Sequence, residues 1–160
     1  MKDIYYMRLA LEQAELSLRE GNWPIGAVIE LNGKVIAKAH NQVYTLNDRL
    51  AHAEMLALRP VQQELSENKK QATIYTTYEP CPMCFGGIIL SRIKKVVCGA
   101  DLDNSGAMYF RKELPLLFKQ DKFSIDFVQG VLTEDCAKMF MSSELAKGLN
   151  KEGLLRKIAL

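Results

Sequence analysis

Histidine is scarce in this chain. Of 160 residues only His40 and His52 carry an imidazole, so any chemistry that needs one must use one of those two positions. Cysteine is little more plentiful. The four residues at 81, 84, 98 and 136 suggest no disulfide framework, and a reducing compartment is expected. Long apolar runs are missing too: no stretch approaches the roughly eighteen uncharged apolar residues needed to span a bilayer. The start, Met1-Lys2-Asp3-Ile4-Tyr5-Tyr6, has no basic segment leading into an apolar one. These absences predict a cytoplasmic protein without membrane association. Charge of one sign is also lacking, since 21 basic and 19 acidic residues leave a formal charge of only +2. That excludes a strong overall electrostatic footprint for nucleic acid while leaving room for a local basic patch. There are no repeats and no low-complexity tracts. The chain reads as a single domain over residues 1–160, large enough for a hydrophobic core without disulfide staples.

Two short stretches carry the chemistry. His52-Ala53-Glu54 and Pro80-Cys81-Pro82-Met83-Cys84 supply three metal donors, His52, Cys81 and Cys84, and one carboxylate, Glu54. A structural zinc closes its tetrahedron with four protein ligands, whereas a catalytic zinc uses three and keeps the fourth position for water. Glu54 lies two residues after His52, too close to complete the tetrahedron beside its neighbour, and is expected to be the general acid/base. Cys81 and Cys84, three residues apart at a helix start, place both sulfurs on one side, one turn apart. The helix N-terminus, and a metal far more strongly, favour thiolates there. Other readings of the cysteine pair exist. A CxxC after a strand is also a redox pair or half of a zinc knuckle. A redox pair has no need of His52 and Glu54, and a knuckle needs a fourth ligand. Cys98, in an apolar run, reads as a buried strand residue, Cys136 as part of a helix face and His40 as structural.

Histidine-x-glutamate followed by proline-cysteine-x-x-cysteine is the signature of zinc nucleobase deaminases. On these motifs the chain resembles the cytidine deaminase-like superfamily, in the branch of bacterial tRNA adenosine, guanine and fungal-type cytosine deaminases. Pro24-Ile25-Gly26-Ala27-Val28, Asn41, Ser91-Arg92-Ile93, Val96-Val97 and Gly99-Ala100 extend the likeness over about two thirds of the chain. The resemblance implies a Zn2+ cofactor, a homodimer in which the Ile88-Ile89-Leu90 run could make contact, and a substrate hydrogen bond from Asn41. It also implies base-orienting backbone groups near Ala53 and Cys81.

The elements expected from the pattern begin with a helix through Ile4, Met7, Leu11, Ala14 and Leu18, stopped at Gly21. A hairpin follows around Asn32-Gly33. Then come a helix from His52 to Glu64, a strand from Thr73 to Tyr78, a helix from Cys81 to Ser91 and a strand from Lys94 to Gly99. A helix near Lys112 to Lys119, a strand near Phe123 to Val131 and a helix from about Thr133 complete the reading. This predicts an α/β fold, a three-layer α/β/α sandwich, to which the resemblance adds a central mixed five-stranded sheet.

Substrate choice is less legible. Trp23 before Pro24, Asp48-Arg49-Leu50 before Ala51-His52, and the tail from Ser143 all depart from the tRNA enzymes, whereas Ser91-Arg92-Ile93, Gly99-Ala100 and Gly130-Val131-Leu132 resemble them. Trp23 could stack on a base. Asp101 and Asp103, after a strand end, could read exocyclic groups. On balance these residues favour deamination of a free nucleobase or nucleoside, such as cytosine, guanine or adenosine. The wobble adenosine of tRNA is the second reading and a non-catalytic zinc-binding interaction domain the third, with Glu54 arguing against the last. The apolar stripe Leu149, Leu154, Leu155, Ile158 and Leu160 suits a docked terminal helix.

Overall fold

The computed structural model describes residues 1–69, 71–100, 106, 116–120 and 123–147. Helix α1 (Lys2–Arg19) ends where Gly21 takes a positive φ of 79°. Strands β1 (Gly26–Leu31) and β2 (Lys34–His40) form the expected hairpin. Asn32 and Gly33, at φ 52° and 84°, supply the two left-handed residues of a tight turn whose twist matches the strands. Next come α2 (Ala53–Leu58), a 3-10 turn (Arg59–Val61) and α3 (Gln62–Glu67). Strand β3 (Thr73–Tyr78), α4 (Pro82–Leu90) and β4 (Lys95–Ala100) make a β-α-β unit with parallel strands. A second 3-10 turn (Leu116–Lys119), β5 (Asp126–Val128) and α5 (Thr133–Met141) follow, with a last 3-10 turn at Glu144–Ala146.

The sheet order is β2-β1-β3-β4-β5, antiparallel across the first three strands and parallel across the last three. Helices cover both faces, and each face has its own core. Met7, Ala10, Tyr75, Val97, Cys136 and Phe140 belong to the side of α1 and α5. Ala57, Leu65, Ile74, Ile88 and Val96 belong to the side of α2, α3 and α4. Gly26 is where α1 crosses β1 most closely; a Cβ there would run into the carbonyl oxygen of Ala10.

Three expectations are corrected. The single helix from His52 to Glu64 is two short helices joined by a 3-10 turn, because Pro60 has no N–H to continue the ladder. The strand expected from Phe123 to Val131 pairs only over Asp126–Val128. Of the Ile88-Ile89-Leu90 run, both isoleucines are buried within the chain's own core and only Leu90 is exposed, at 58%. Cys98 and Cys136 are buried as expected, and His40 closes β2 with Nε2 3.0 Å from Glu20 Oε2. Asp101, Asp103 and the tail stripe from Leu149 lie outside the described residues, as does the first part of the helix expected near Lys112. Among the described residues no helix is long and apolar enough to cross a membrane.

Candidate metal centre and active site

His52 is the residue that caps the start of α2, and Cys81 is the corresponding residue of α4. Their carbonyl oxygens accept the first helical hydrogen bonds, from Leu56 N–H and Phe85 N–H, each at 2.9 Å. Pro82 occupies the first turn of α4, where a missing N–H costs nothing, and Cys84 follows in the same turn. Two positive helix ends therefore converge on one point, and both favour anionic sulfur.

The donor geometry suits one tetrahedral ion. His52 Nδ1 lies 3.7 Å from Cys81 Sγ and 3.5 Å from Cys84 Sγ. A zinc with bonds of about 2.3 Å to sulfur and about 2.1 Å to nitrogen holds those atoms about 3.6 Å apart at the tetrahedral angle. The donor atoms of His52, Cys81 and Cys84 all fall within 4.8 Å of one another. One nitrogen and two sulfurs fit zinc and disfavour magnesium and calcium. The protonation pattern shows the same concentration of charge. A hydrogen bond from Cys84 and one from His52 outweigh burial and pull the Cys81 thiol down to about 4. The shared proton pushes Cys84 up, and the bond to Cys81 raises the His52 imidazole.

Glu54 does not join the donor set. Only 3% exposed, it brings Oε2 to 3.5 Å from Cys84 Sγ and Oε1 to 3.2 Å from Thr76 Oγ1. Burial, reinforced by the Cys81 thiolate and partly offset by His52, raises its carboxyl above the ordinary range. Thr76 Oγ1 also lies 3.0 Å from the carbonyl oxygen of Tyr78. A hydroxyl has one proton, so when it donates to Tyr78 its lone pair can accept from a protonated Glu54. The carboxyl can thus be held in either state, which a proton shuttle needs.

The residue after Asn41 is tied to the one before His52, Gln42 N–H donating to Ala51 C=O at 2.9 Å. Asn41 itself is buried, with Oδ1 accepting from Val43 N–H, while Nδ2 has no hydrogen-bond partner among the described residues. That free amide can donate to a ligand. Ala53 is fully buried at the start of α2. Trp23 is not brought to the site: it stacks on Phe140 at 5.1 Å in the core on the α1 and α5 side, the opposite face of the sheet. Thr76 was missed by sequence reading. Its signal was a hydroxyl in a strand apolar enough to be buried on both faces, where an unpaired polar group is expensive.

Comparison with known proteins agrees with this geometry. Residues 1–100 match the cytidine and deoxycytidylate deaminase zinc-binding region. The chain is 40% identical over 141 residues to the tRNA-specific adenosine deaminase of Bacillus subtilis (strain 168), covering 86% of each. It is 34% identical over 139 residues to the enzyme of that name from Buchnera aphidicola, covering 86% of this chain and 91% of the relative. A solved structure from a study of A-to-I editing by tRNA:A34 deaminases at the wobble position superimposes with a TM-score of 0.70. It is 33% identical, with 84% of this chain and 98% of that one covered. The guanine deaminase of Nitrosomonas europaea, at 24% identity and a TM-score of 0.68 over 88% and 83%, shares the fold. With the family match spanning residues 1–100, the chain belongs to the cytidine and deoxycytidylate deaminase zinc-binding family and is a hydrolytic deaminase acting on C–N bonds.

Proposed function

We propose that this enzyme deaminates adenosine in tRNA, at the wobble position of the anticodon. The observation that carries the reading is the 40% identity to a tRNA-specific adenosine deaminase over 86% of both chains, with the His52, Cys81, Cys84 and Glu54 constellation intact. It reverses the order reached from the sequence, in which a free base or nucleoside came first.

In the reaction, water adds at C6 of adenine, the C6–N6 bond breaks and the amine leaves as ammonia. His52, Cys81 and Cys84 would hold a zinc ion, which supplies Lewis acidity and an acidified water. Glu54 takes the proton of the attacking water and delivers it to the ring nitrogen; it then takes the proton of the new C6 hydroxyl and passes it to the departing amine, leaving a C6 carbonyl. Thr76 keeps the carboxyl aimed through both states. Asn41 Nδ2 donates to the nucleoside and orients it, and burial of Glu54 excludes competing water from the proton's path.

The test is a panel of cytosine, guanine, adenine, their nucleosides and an anticodon stem-loop with adenosine at the wobble position, read by ammonia release. Inosine formation in the stem-loop with no turnover of the small bases is the expected result; turnover of a free base alone would overturn it. A homodimer belongs to the same proposal. Tyr44, Leu46 and Leu50, exposed between Asn41 and His52, offer apolar surface for a second subunit. Light scattering should give twice the chain mass, and a monomer with full activity would remove that part.

A further inference from the structure

Along α3 and beyond the end of α4 opposite Cys81 lies an open cavity of about 290 Å³ lined by Gln62, Ser66, Lys69, Leu90, Ser91 and Arg92. Among the described residues its polar lining consists of two cations, two hydroxyls and an amide, with no carboxylate. Neither Arg92 nor Lys69 has an acidic partner among the described residues. Gln62 Nε2 donates to Ser91 Oγ at 2.9 Å, fixing two of the neutral groups against each other.

Arg92 stands where arginine is a poor choice for the backbone. It sits at φ 58°, in the left-handed region. Its N–H bonds Ile89 C=O at 3.0 Å, and the N–H of Ile93 bonds Ile88 C=O at 3.4 Å. That is a helix-ending pattern whose left-handed position is normally filled by glycine, because a Cβ there crowds the following carbonyl oxygen. A cation beside a helix C-terminus could simply complement the terminal carbonyls. Here those of Gly87, Ile88 and Ile89 are already taken by backbone N–H groups, and the guanidinium bonds none of them. A half-buried guanidinium with no acidic partner among the described residues, kept at a backbone position that favours glycine, is an outlier that asks for a ligand.

We propose that this cavity binds a phosphate group, with Arg92 as the principal ligand and Lys69, Ser66 and Ser91 as supporting donors. A guanidinium donates two parallel hydrogen bonds to phosphate oxygens, and hydroxyls fill the remaining lone pairs. Its natural source is a backbone phosphate of the nucleic-acid substrate. The nine residues of α4 separate the cavity from Cys81 by about 14 Å at 1.5 Å per residue, the length of about four stacked nucleotides. On the tRNA reading, a strand with its adenosine at Glu54 would need to run about that far to place a phosphate in the cavity. The choice of backbone phosphate as source rests on the tRNA reading; the cavity's affinity for phosphate does not.

Arg92→Gly tests this without threatening the fold, because glycine suits the backbone there and should leave the melting temperature unchanged or higher. The zinc-loaded enzyme and the variant are titrated with an anticodon stem-loop and, separately, with pyrophosphate. Backbone amide NMR signals of Ser66, Ser91 and Gly or Arg92 report occupancy. The expected result is saturable shifts with the stem-loop, lost in the variant. Stem-loop KM should rise about tenfold with kcat unchanged, and the salt dependence of binding should shrink by about one unit of slope. Shifts with pyrophosphate but none with the stem-loop would keep the phosphate site and reject the backbone source. Stem-loop deamination with unaltered KM and salt slope in the variant, and no shifts with either probe, would overturn the site while leaving the substrate reading standing. Binding of both probes by an enzyme that never deaminates the stem-loop would do the reverse.

Discussion

Glu54 sits within contact of Cys84 and of Thr76, so its two possible roles, metal ligand and proton carrier, give opposite outcomes on substitution. Glu54→Gln should retain one zinc per chain and the native melting temperature while kcat falls by at least about 10²-fold. Zinc loss from this variant, with activity restored by added zinc, would reassign the residue as a ligand. Thr76→Val removes the hydroxyl that steadies the carboxyl while keeping volume, so kcat should fall about tenfold or more with KM little changed. Away from the site, Asp3 ties α1 to the sheet through Tyr75 Oη and Lys95 Nζ, each at 2.9 Å. Burial works to raise its carboxyl, but those two bonds and the charges of Lys95 and Lys2 outweigh it and hold the group below the ordinary range. A depressed folded value means stability that is present above about pH 4 and lost as pH falls further. Thermal melts of Asp3→Asn should therefore lie below the wild type at pH 7, the gap narrowing as pH falls below about 4; a gap that stays constant on acidification would remove Asp3 from the account.

At the scale of elements, α5 and β4 meet at a point with no spare room. A Cβ on Gly99 would run into Cys136 Sγ. Gly99→Ala should cost about 1–3 kcal/mol, the usual range for overpacking, and Cys136→Ala should recover part of that loss. Additive losses in the double variant, measured by urea unfolding, would contradict the clash. The same scale shows why some elements were legible in the sequence and others were not. The Asn32-Gly33 turn was, because two adjacent left-handed residues have few chemical solutions. The junction at Cys81 was, because Pro80 and Pro82 mark where β3 must stop and α4 can begin. Strand β5 was overread because the alternation of Phe123, Ile125 and Phe127 reports which side chains face Phe85 and Ile89, and that packing extends beyond the three residues that pair with β4. Trp23 was misplaced because an aromatic at a helix end looks the same in sequence whether it stacks on a ligand or on Phe140.

For the whole molecule, the sheet separates two cores of different dependence. The side of α1 and α5 is closed by apolar packing, with Tyr6, Trp23, Tyr78 and Phe140 among its buried residues, and by polar ties such as those of Asp3 to Tyr75 and Lys95. On the other side the starts of α2 and α4 are linked through His52, Cys81 and Cys84, so the ion serves as a staple between the two helices as well as a reagent. A ligand that binds only the folded state stabilises it in proportion to the logarithm of its concentration over Kd. Removing zinc with a chelator at pH 7 should abolish turnover and lower the melting temperature. The loss should be partial, because the Cys81 thiolate keeps its hydrogen bonds from Cys84 and His52 and still spans the two helices. Hydrogen exchange of the apo enzyme should quicken at Leu56 and Phe85, whose amides close the first turns on His52 and Cys81, while Met7, Ala10 and Tyr75 stay protected. Uniform loss of protection across both faces would mean the ion supports the whole fold. Turnover persisting in protein shown to be metal-free would remove zinc from the chemistry altogether.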